Sequence, residues 1–221
     1  MKKISIIEAV SSFFANDVTS DEKHKFHPED IKVALNFIFN QIIYNTYLNG
    51  KKFSDLSQLD AWSRLYEVDI ESQIGTEAYA FLPFPPYQLP DNAGIREIRD
   101  HDEPSNVFVP TEATSNPIFD ELEVSTMDTT PSYHIEQSNV FVGAGEPTHI
   151  LRMRQMPTGG DEIESVDILM IVGPEQIDDF DEIIIPANQE DTLVRQICDF
   201  LIKKSVDDTA NDMVTENTPT Q

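Results

Sequence analysis

The sequence predicts an α+β fold: an N-terminal helical part, a mainly antiparallel β-sheet and a C-terminal amphipathic helix. Apolar residues recur at helical spacing early in the chain, form short strand-length runs after residue 77, and return to helical spacing after Asn188. We therefore expect a helical region over 1–76, a β-rich domain with the C-terminal helix over 77–206, and a mobile tail over 207–221.

Three helices are predicted in the N-terminal part. The first carries its apolar residues on one face and ends near Asn16. The second begins at Pro28, because proline suits a first helical turn and the acids that follow it favour the positive end of the helix dipole. It ends near Gly50, and its apolar residues occupy more than one face, so we expect neighbours on more than one side. The third, over 55–66, has a weaker pattern.

A proline-rich segment follows the first predicted strand, 78–82. Prolines remove backbone donors and fix φ, so this segment cannot be helical. We interpret it as a stiff crossover between two subdomains, with a peptide-binding groove as the alternative. Its prolines are Pro83, Pro85, Pro86 and Pro90.

Further strands are predicted where short apolar runs lie between turn signals. We place them at 94–100, 106–110, 132–144, 148–156, 166–172 and 183–186. Residues 143–147 are typical of a hairpin connection. The long polar stretch over 111–131 is expected to order only against a neighbouring subunit.

The last helix has the clearest pattern. Asn188 is a suitable N-cap, and the stripe of Leu193, Ile197 and Leu201 predicts packing on the sheet or on a neighbouring subunit. The sequence over 207–221 has no periodicity, which favours a mobile tail or an arm that orders on a partner.

Charge is the unusual feature of the composition. Forty acids and 15 bases give a net charge of −25. Such a surface repels phosphate, so sequence-specific nucleic-acid binding and binding to anionic membranes are not expected. The chain has one cysteine, Cys198, and so no intrachain disulfide. Without a membrane-length apolar run or a signal peptide, we expect a soluble protein.

Motifs for catalysis are missing from the sequence. There is no glycine-rich phosphate loop, zinc-protease helix or nucleophile elbow, and the five histidines are spread along the chain. His24 and His27 have the spacing to share a metal, but a surface loop is the favoured interpretation. We interpret the two acidic runs over 161–164 and 178–182 as solvated turns, with weak cation binding as the alternative. We therefore predict no catalytic site, metal or cofactor.

Several short motifs carry a resemblance to a known family. They are Phe81-Leu82-Pro83, the run from Leu89 to Ile95, Ile185-Pro186-Ala187-Asn188-Gln189-Glu190, and Asp207-Asp208-Thr209-Ala210-Asn211-Asp212. Their order resembles that of the head-to-tail connector proteins, the neck or tail rings, of tailed double-stranded DNA phages, particularly the crAss-like group. The resemblance covers roughly residues 60–212, and it agrees with the N-terminal helices only in character.

The resemblance implies a non-enzymatic virion protein, made in the host cytoplasm and located in the phage neck or tail. It would form a homo-oligomeric ring of about twelve copies between portal and tail, through which DNA passes without sequence-specific binding. The alternatives are a phage-encoded hydrolase, lytic or processing, and an adaptor of a cellular complex.

Two sets of candidate functional residues follow. The candidate interface residues are Phe81, Leu82, Pro83, Pro85, Pro86, Leu193, Ile197 and Leu201. The candidate channel-facing acids are Asp161, Glu162, Glu164, Asp178, Asp179, Asp181 and Glu182. The alternative is that these acids face outward, where their role would be solubility alone.

Overall fold

The computed structural model describes residues 1–16, 26–111, 131–141, 147–157 and 163–216. It combines helices with largely antiparallel sheets, so the predicted α+β class is confirmed. The chain forms two units, one of Met1–Trp62 with Gly173–Gln221 and one of Ser63–Val172. This division differs from the expected boundaries at 76 and 206, because the C-terminal helix belongs with the N-terminal helices.

The first unit contains α1 (Lys3–Asn16), α2 (Pro28–Phe53) and α3 (Glu190–Glu216). The start of α2 agrees with the prediction. The N–H of Glu29 donates to Nδ1 of His27 at 3.4 Å, and the N–H of His27 donates to the Asp30 carboxylate at 3.3 Å. This reciprocal cap satisfies donors that the first helical turn leaves open.

The second helix continues past the predicted stop at Gly50. A Cβ at this position would overlap the carbonyl oxygen of Asp55 and the side chain of Leu56. The N–H of Asp55 donates to the Gly50 carbonyl at 2.9 Å, and Ser54 turns the chain with a φ of 54°. Gly50 therefore permits a close approach of the following chain, and the helix ends at Phe53.

The predicted stripe of α3 is buried in the first unit. Leu193, Ile197 and Leu201 are 0%, 0% and 1% exposed, and the helix packs against α1 and α2. The expected packing on the sheet is therefore wrong, because the apolar stripes of three helices cover one another. The helix also continues beyond the predicted end at 206 to Glu216, and residues 217–221 lie outside the described part.

The third predicted helix is wrong. Only Ser57–Trp62 is helical, as a 3-10 helix, and it is followed by a strand. Leu59 and Trp62 are buried, and the Trp62 ring meets Phe39 edge-on at 5.6 Å. Leu65, which completed the helical pattern, is 45% exposed because strand pairing overrides the local spacing.

The second unit contains two sheets. The three-stranded sheet has the order β1-β8-β4 and is antiparallel throughout, with strands β1 (Arg64–Asp69), β4 (Ile95–Asp100) and β8 (Ser165–Met170). One of its faces buries Ile98, Val166 and Ile168. Alternation places Glu67, Asp167 and Arg99 in one row on the opposite face.

The five-stranded sheet has the order β2-β3-β7-β6-β5. Its strands are β2 (Ser72–Ile74), β3 (Glu77–Phe81), β5 (Val109–Pro110), β6 (Ser132–Phe141) and β7 (Pro147–Arg154). Only β5 and β6 pair in parallel. One face buries Ala80, Leu151 and Met153, while Tyr79, Arg152 and His134 form a row on the other.

Most predicted strands have counterparts, with three differences. The strand over 106–110 is reduced to β5, and neither β1 nor β2 was predicted. The predicted strand over 183–186 joins no ladder, although Ile183 and Ile185 are buried as expected. Its pairing is limited to the N-terminal residues, where the N–H of Ile183 donates to the Met1 carbonyl at 2.9 Å. Residues 142–146, which contain most of the predicted hairpin, and residues 112–130 lie outside the described part.

The proline-rich segment links β3 to β4 within the second unit. Its expected role as a crossover between subdomains is therefore wrong, since both strands belong to one unit. The segment is extended up to a 3-10 turn at Pro90–Asn92, and the N–H of Tyr87 donates to the Ile171 carbonyl at 3.0 Å. Gly94 is required beside it, because a Cβ there would overlap the Tyr87 carbonyl.

Candidate functional site

The predicted interface residues differ in exposure. In the proline-rich segment Pro83 is exposed, Leu82 is buried, and Phe81, Pro85 and Pro86 are half-buried. The remaining three, on α3, contribute to the core of the first unit. These α3 side chains are therefore covered by the chain itself rather than offered to a partner.

The predicted channel acids also differ from one another. Asp161 and Glu162 lie outside the described residues. Glu164, Asp178, Asp181 and Glu182 are exposed, whereas Asp179 is half-buried.

Asp179 is held between two lysines of the first unit. Its Oδ2 lies 2.7 Å from Nζ of Lys32 and its Oδ1 lies 3.2 Å from Nζ of Lys3. Lys3 also donates to the Ile177 carbonyl at 2.8 Å. The hydrogen bond from Lys32, followed by that from Lys3, holds the pKa of Asp179 below its usual value and raises the pKa of Lys32. Asp179 thus joins its loop to α1 and α2.

Residues 178–182, which we call the Phe180 loop, present an aromatic ring between acids. Phe180 is 74% exposed, and Asp178, Asp181 and Glu182 around it are exposed as well. The backbone is fixed from both sides of the ring, because the N–H groups of Lys3 and Ile4 donate to Asp181 and Asp179 at 3.1 and 2.8 Å. A single exposed apolar side chain is common on protein surfaces, so the ring alone does not mark a contact surface.

One face of α2 is exposed although it is apolar. Val33, Phe37, Tyr44 and Leu48 are 61%, 51%, 48% and 46% exposed. Their spacing places them on one side of the helix, and we call this row the outer stripe. Phe37 stacks on Phe200 of α3 with ring centroids 4.9 Å apart. The apolar residues of α2 therefore occupy more than one face of the helix, as the sequence predicts.

Lysines and a phenyl group lie at the C-terminal end of the outer stripe. Lys51 and Lys52 are exposed, and Phe53 beside them is 74% exposed. The Nζ of Lys51 lies 5.7 Å above the Tyr47 ring, and that of Lys52 lies 5.6 Å from the Phe53 ring. We call residues 48–53 the basic end of α2. Its cations are favoured by the negative end of the helix dipole.

A histidine–carboxylate–arginine cluster lies on the polar face of the five-stranded sheet. Nε2 of His134 is 3.0 Å from Glu136, whose other oxygen accepts from Nε of Arg152 at 3.1 Å. The hydrogen bond from His134, with a smaller contribution from Arg152, lowers the pKa of Glu136. The cluster lines a cleft of about 200 Å³ that also contains Tyr79 and Ser72. His134 is 7% exposed, and its Nδ1 has no hydrogen-bond partner among the described residues.

A second such cluster lies on the polar face of the three-stranded sheet. Asp167 accepts from Nε of Arg99 at 3.3 Å and lies 2.9 Å from Nδ1 of His101. Nε2 of His101 is 3.8 Å from Glu67. The hydrogen bond to Asp167 and the charge of Glu67 raise the pKa of His101. A cleft of about 250 Å³ lies between Arg99, Asp167 and neighbouring leucines.

Neither cluster forms a complete nucleophile–base pair among the described residues. A histidine bonded to a carboxylate is one component of hydrolytic catalysis, and the His134 cleft provides it. A hydroxyl or thiol hydrogen-bonded to either histidine is not found in the described part of the chain. Cys198 is buried, and burial raises the pKa of its thiol to about 11, so it is not an activated nucleophile.

In the part of the chain that the structure describes, no group of three or more His, Cys, Asp or Glu side chains is placed to hold a metal ion. His27 caps α2, and His24, whose spacing from His27 would allow a shared metal, lies outside the described residues. None of the described helices combines the length and apolarity needed to cross a membrane.

Sequence reasoning missed the exposed ring of the Phe180 loop and missed both clusters. The loop had a signal in the sequence, a lone phenylalanine within an acidic run. The clusters had none, because Arg99 and His101 meet Asp167 only through the register of β4 and β8.

Comparison with known proteins gave no match to any family model, curated protein or solved structure. Function is therefore inferred from the chain's own residues.

Proposed function

We propose that this chain is a non-enzymatic structural subunit of a tailed-phage virion. About twelve copies would form a ring in the neck or tail that connects the portal to the tail and forms part of the DNA channel. The observation that carries the proposal is the outer stripe of α2, where large apolar side chains remain exposed along one helix face.

Exposed apolar groups on one helix face, here two pairs on either side of the polar Asn40, favour assembly over a solitary monomer. Monomeric proteins rarely leave such patches in water, because each buried Å² of apolar surface contributes about 25 cal/mol. Stacking of Phe37 on Phe200 covers only part of the row, since Val33, Tyr44 and Leu48 remain about half exposed or more. A neighbouring subunit would remove these side chains from water.

The acidity of the chain supports a channel role. A net charge of −25 per copy gives a ring total on the order of −300 for about twelve copies. Carboxylates on a channel wall repel phosphates, so DNA slides without the counterion release that accompanies binding. Among the predicted acids, the exposed Glu164 and its sequence neighbours Asp161 and Glu162 are the candidates in the second unit.

Location in the virion tests the proposal directly. Antibody-labelled virions imaged by negative stain should carry the label at the head–tail junction, and purified protein should show rings. Label elsewhere on the particle, or a virion without the protein, would overturn the proposal. Such a result would favour the adaptor alternative, in which the outer stripe binds a cellular partner.

Ejection kinetics test the channel role. Glu164→Lys should slow DNA ejection from assembled particles, because a lysine on the wall attracts phosphates. The control is Glu8→Lys, which makes the same charge change at an exposed site on α1. Equal ejection rates for wild type and Glu164→Lys would contradict the placement of Glu164 on the channel wall.

A hydrolase is the second candidate, favoured by the His134–Glu136 pair in its cleft. Its test is hydrolysis of peptidoglycan and of phage structural proteins by wild type, His134→Gln and Glu136→Gln. Turnover that both variants abolish, in protein that remains folded, would replace the structural proposal.

A further inference from the structure

A charge-free stretch forms the middle of α2. Residues 33–50 contain no Asp, Glu, Lys, Arg or His, in a chain of which 25% of the residues are charged. The outer stripe lies in this stretch, and the other exposed positions there carry uncharged amides, namely Asn40, Gln41, Asn45 and Asn49. Depletion of charge together with exposed aromatic rings distinguishes the centre of a protein interface from other surface. The exposed side of α2 therefore has the composition of a contact surface.

The two aromatic rings of the outer stripe are held in place by their own chain. Phe37 stacks on Phe200 with ring centroids 4.9 Å apart. The Tyr44 ring lies with its centroid 6.4 Å from that of the buried Tyr47. A ring that is already fixed loses little conformational freedom when a partner covers it, so more of its burial contributes to affinity.

The outer stripe is symmetric along the helix. Val33 and Leu48 form its ends and Phe37 and Tyr44 its inner pair, and both pairs are centred midway between residues 40 and 41. A second α2 related by a twofold axis through that point, and running antiparallel, places Val33 of one copy opposite Leu48 of the other. The same operation places Phe37 opposite Tyr44. A contact between two identical surfaces requires this reciprocity, whereas a partner of another sequence does not.

The two ends of α2 also suit an antiparallel neighbour. Glu29 in the first turn and Lys52 in the last turn are exposed, and they are equally far from the same centre. Antiparallel order brings this carboxylate near an ammonium group and opposes the helix dipoles, whereas parallel order brings like charges together. Each group has a contact in its own chain, Glu29 with Lys32 at 3.1 Å and Lys52 with the Phe53 ring, so the ends determine direction more than strength.

Net charge opposes any contact between two copies, since each has a charge of −25. Ions screen this repulsion beyond about 8 Å at physiological ionic strength, and the charge-free stretch places no carboxylate along the middle of α2. The contact should therefore tighten as salt rises, which is the reverse of a contact made by ion pairs.

We propose that a second copy of this chain packs its outer stripe antiparallel on the outer stripe of the first, about a twofold axis between residues 40 and 41. Antiparallel helices of this kind pack with their axes about 8–10 Å apart. The apolar contact from Val33 to Leu48 is then about 22 Å long. One helix face of that length covers less than the roughly 800 Å² per partner of a standard interface, so the dissociation constant should be on the order of micromolar.

The pair goes beyond the proposed function, because it forms in solution whether or not the chain enters a virion. A cyclic ring joins different surfaces of its subunits, so one stripe cannot hold a twofold partner and a ring neighbour together. Pairing covers the stripe at low concentration, and a ring of about twelve copies, which depends more steeply on concentration, competes for it. Pairing in solution and label at the head–tail junction are separate results, so each proposal can fail alone.

Sedimentation equilibrium of the purified full-length chain tests the contact across a concentration series. Wild type should pass from monomer to dimer before any larger species forms. Tyr44→Glu should raise the dimer dissociation constant at least about tenfold, because it buries a carboxylate against Phe37 of the other copy. The matched control is Ile74→Glu, which makes a similar change at a side chain on β2 that is 80% exposed and should leave pairing unchanged. Circular dichroism confirms that each variant is folded.

Three results of this series would each overturn the contact. They are a wild type that stays monomeric up to about 100 µM, a Tyr44→Glu variant that pairs like wild type, and larger species that form without a dimer. Salt gives a further arm, since the dissociation constant should fall between about 50 and about 500 mM sodium chloride. A rise would mean that ion pairs hold the copies together, against the proposal.

Introduced charges test the antiparallel register. Val33→Lys and Leu48→Glu should each weaken pairing, because each places a charge against an apolar side chain of the other copy. The double variant Val33→Lys/Leu48→Glu should pair more tightly than either single variant, because the twofold axis sets the two new charges opposite each other. In a parallel pair like charges would meet instead, so a double variant as weak as the single ones would overturn the register.

Cysteine cross-linking gives the same information without added charge. The natural Cys198 is 1% exposed, so engineered thiols react alone. A mixture of the Val33→Cys and Leu48→Cys proteins should form a disulfide-linked dimer on oxidation. Val33→Cys alone should form none, because the two positions 33 of an antiparallel pair lie about 22 Å apart. A linked dimer from Val33→Cys alone, or none from the mixture, would overturn the proposal.

Discussion

The two units hold charge in different ways, and two aspartates show the difference. Asp179 of the first unit pairs with Lys3 and Lys32, while Asp167 of the second pairs with Arg99 and His101. The Asp167 side chain is 9% exposed and that of Asp179 is 32% exposed. Each carboxylate contacts two basic side chains, and of these two carboxylates it is Asp167 that has a histidine as one of the two.

The partners determine where each arrangement responds to pH. Lysines stay charged through neutral pH, so the Asp179 arrangement weakens only when acid protonates the carboxylate. His101 loses its charge as pH rises, so the Asp167 arrangement weakens in the opposite direction. Similar geometry thus gives opposite pH dependence.

The units also differ in packing. Apolar contacts between helices fill the first unit, whereas the sheets of the second unit have polar faces.

The largest expected effect sharpens the contrast in packing. Ile197→Ala should lower the free energy of unfolding by about 2–5 kcal/mol, because a side chain that is 0% exposed leaves a cavity between α3 and its neighbours. The matched control is Ile202→Ala on the same helix, where the side chain is 41% exposed and the cost should stay below about 1 kcal/mol. Equal losses in urea titrations of the two variants would contradict the burial of the stripe.

The next effect concerns the buried carboxylate of the second unit. Asp167→Asn should cost about 1–3 kcal/mol, because the amide keeps the shape but cannot accept from both Arg99 and His101 as a charged group. Glu97→Gln, the control, removes a carboxylate whose side chain is 41% exposed and lies 3.9 Å from Arg99, and it should cost almost nothing. If the two variants unfold at the same urea concentration, Asp167 does not organise its sheet face.

The parts of the fold that follow local rules could be predicted from the sequence. The start of α2 was predicted from Pro28, and the stripe of α3 from residues at helical spacing, because caps and amphipathic periodicity lie within a few residues. The predicted helix end at Gly50 is wrong. The glycine is needed because the backbone of Asp55, which lies beyond the end of the helix, packs closely against it.

The parts that depend on distant pairing could not be predicted. Leu65 fitted a helical pattern, and only the partner strand β8, far along the chain, makes it part of β1. The Asp167 cluster has the same origin, since His101 and Asp167 are 66 residues apart. The Phe180 loop is intermediate, because its acidic residues predict a solvated turn, whereas the ion pairs of Asp179 with Lys3 and Lys32 join residues that are far apart in the sequence.

Acid titration tests the pH dependence that Asp179 gives to the first unit. The pKa of Asp179 is lowered in the folded protein, so its contribution is full above the ordinary value of 3.8 and is lost as pH falls through the folded pKa. Asp179→Asn should therefore reduce the loss of stability between about pH 5 and about pH 2. The control is Asp178→Asn, an exposed neighbour. An acid limb unchanged by Asp179→Asn, measured by urea unfolding at each pH, would contradict the assignment.

Titration through neutral pH gives the smallest expected effect and has an internal contrast. The pKa of His101 is raised, so its contribution is full below the ordinary value of 6.5 and is lost as pH rises through the folded pKa. Burial lowers the pKa of His149, so that histidine costs stability as pH falls below 6.5, where the unfolded chain binds the proton more readily. His101→Gln should therefore remove a decline in stability above about pH 6.5, and His149→Gln should remove a decline below it. Urea midpoints from about pH 5 to about pH 9 measure both slopes, and slopes of the same sign for the two variants would contradict the difference between an ion-paired and a desolvated histidine.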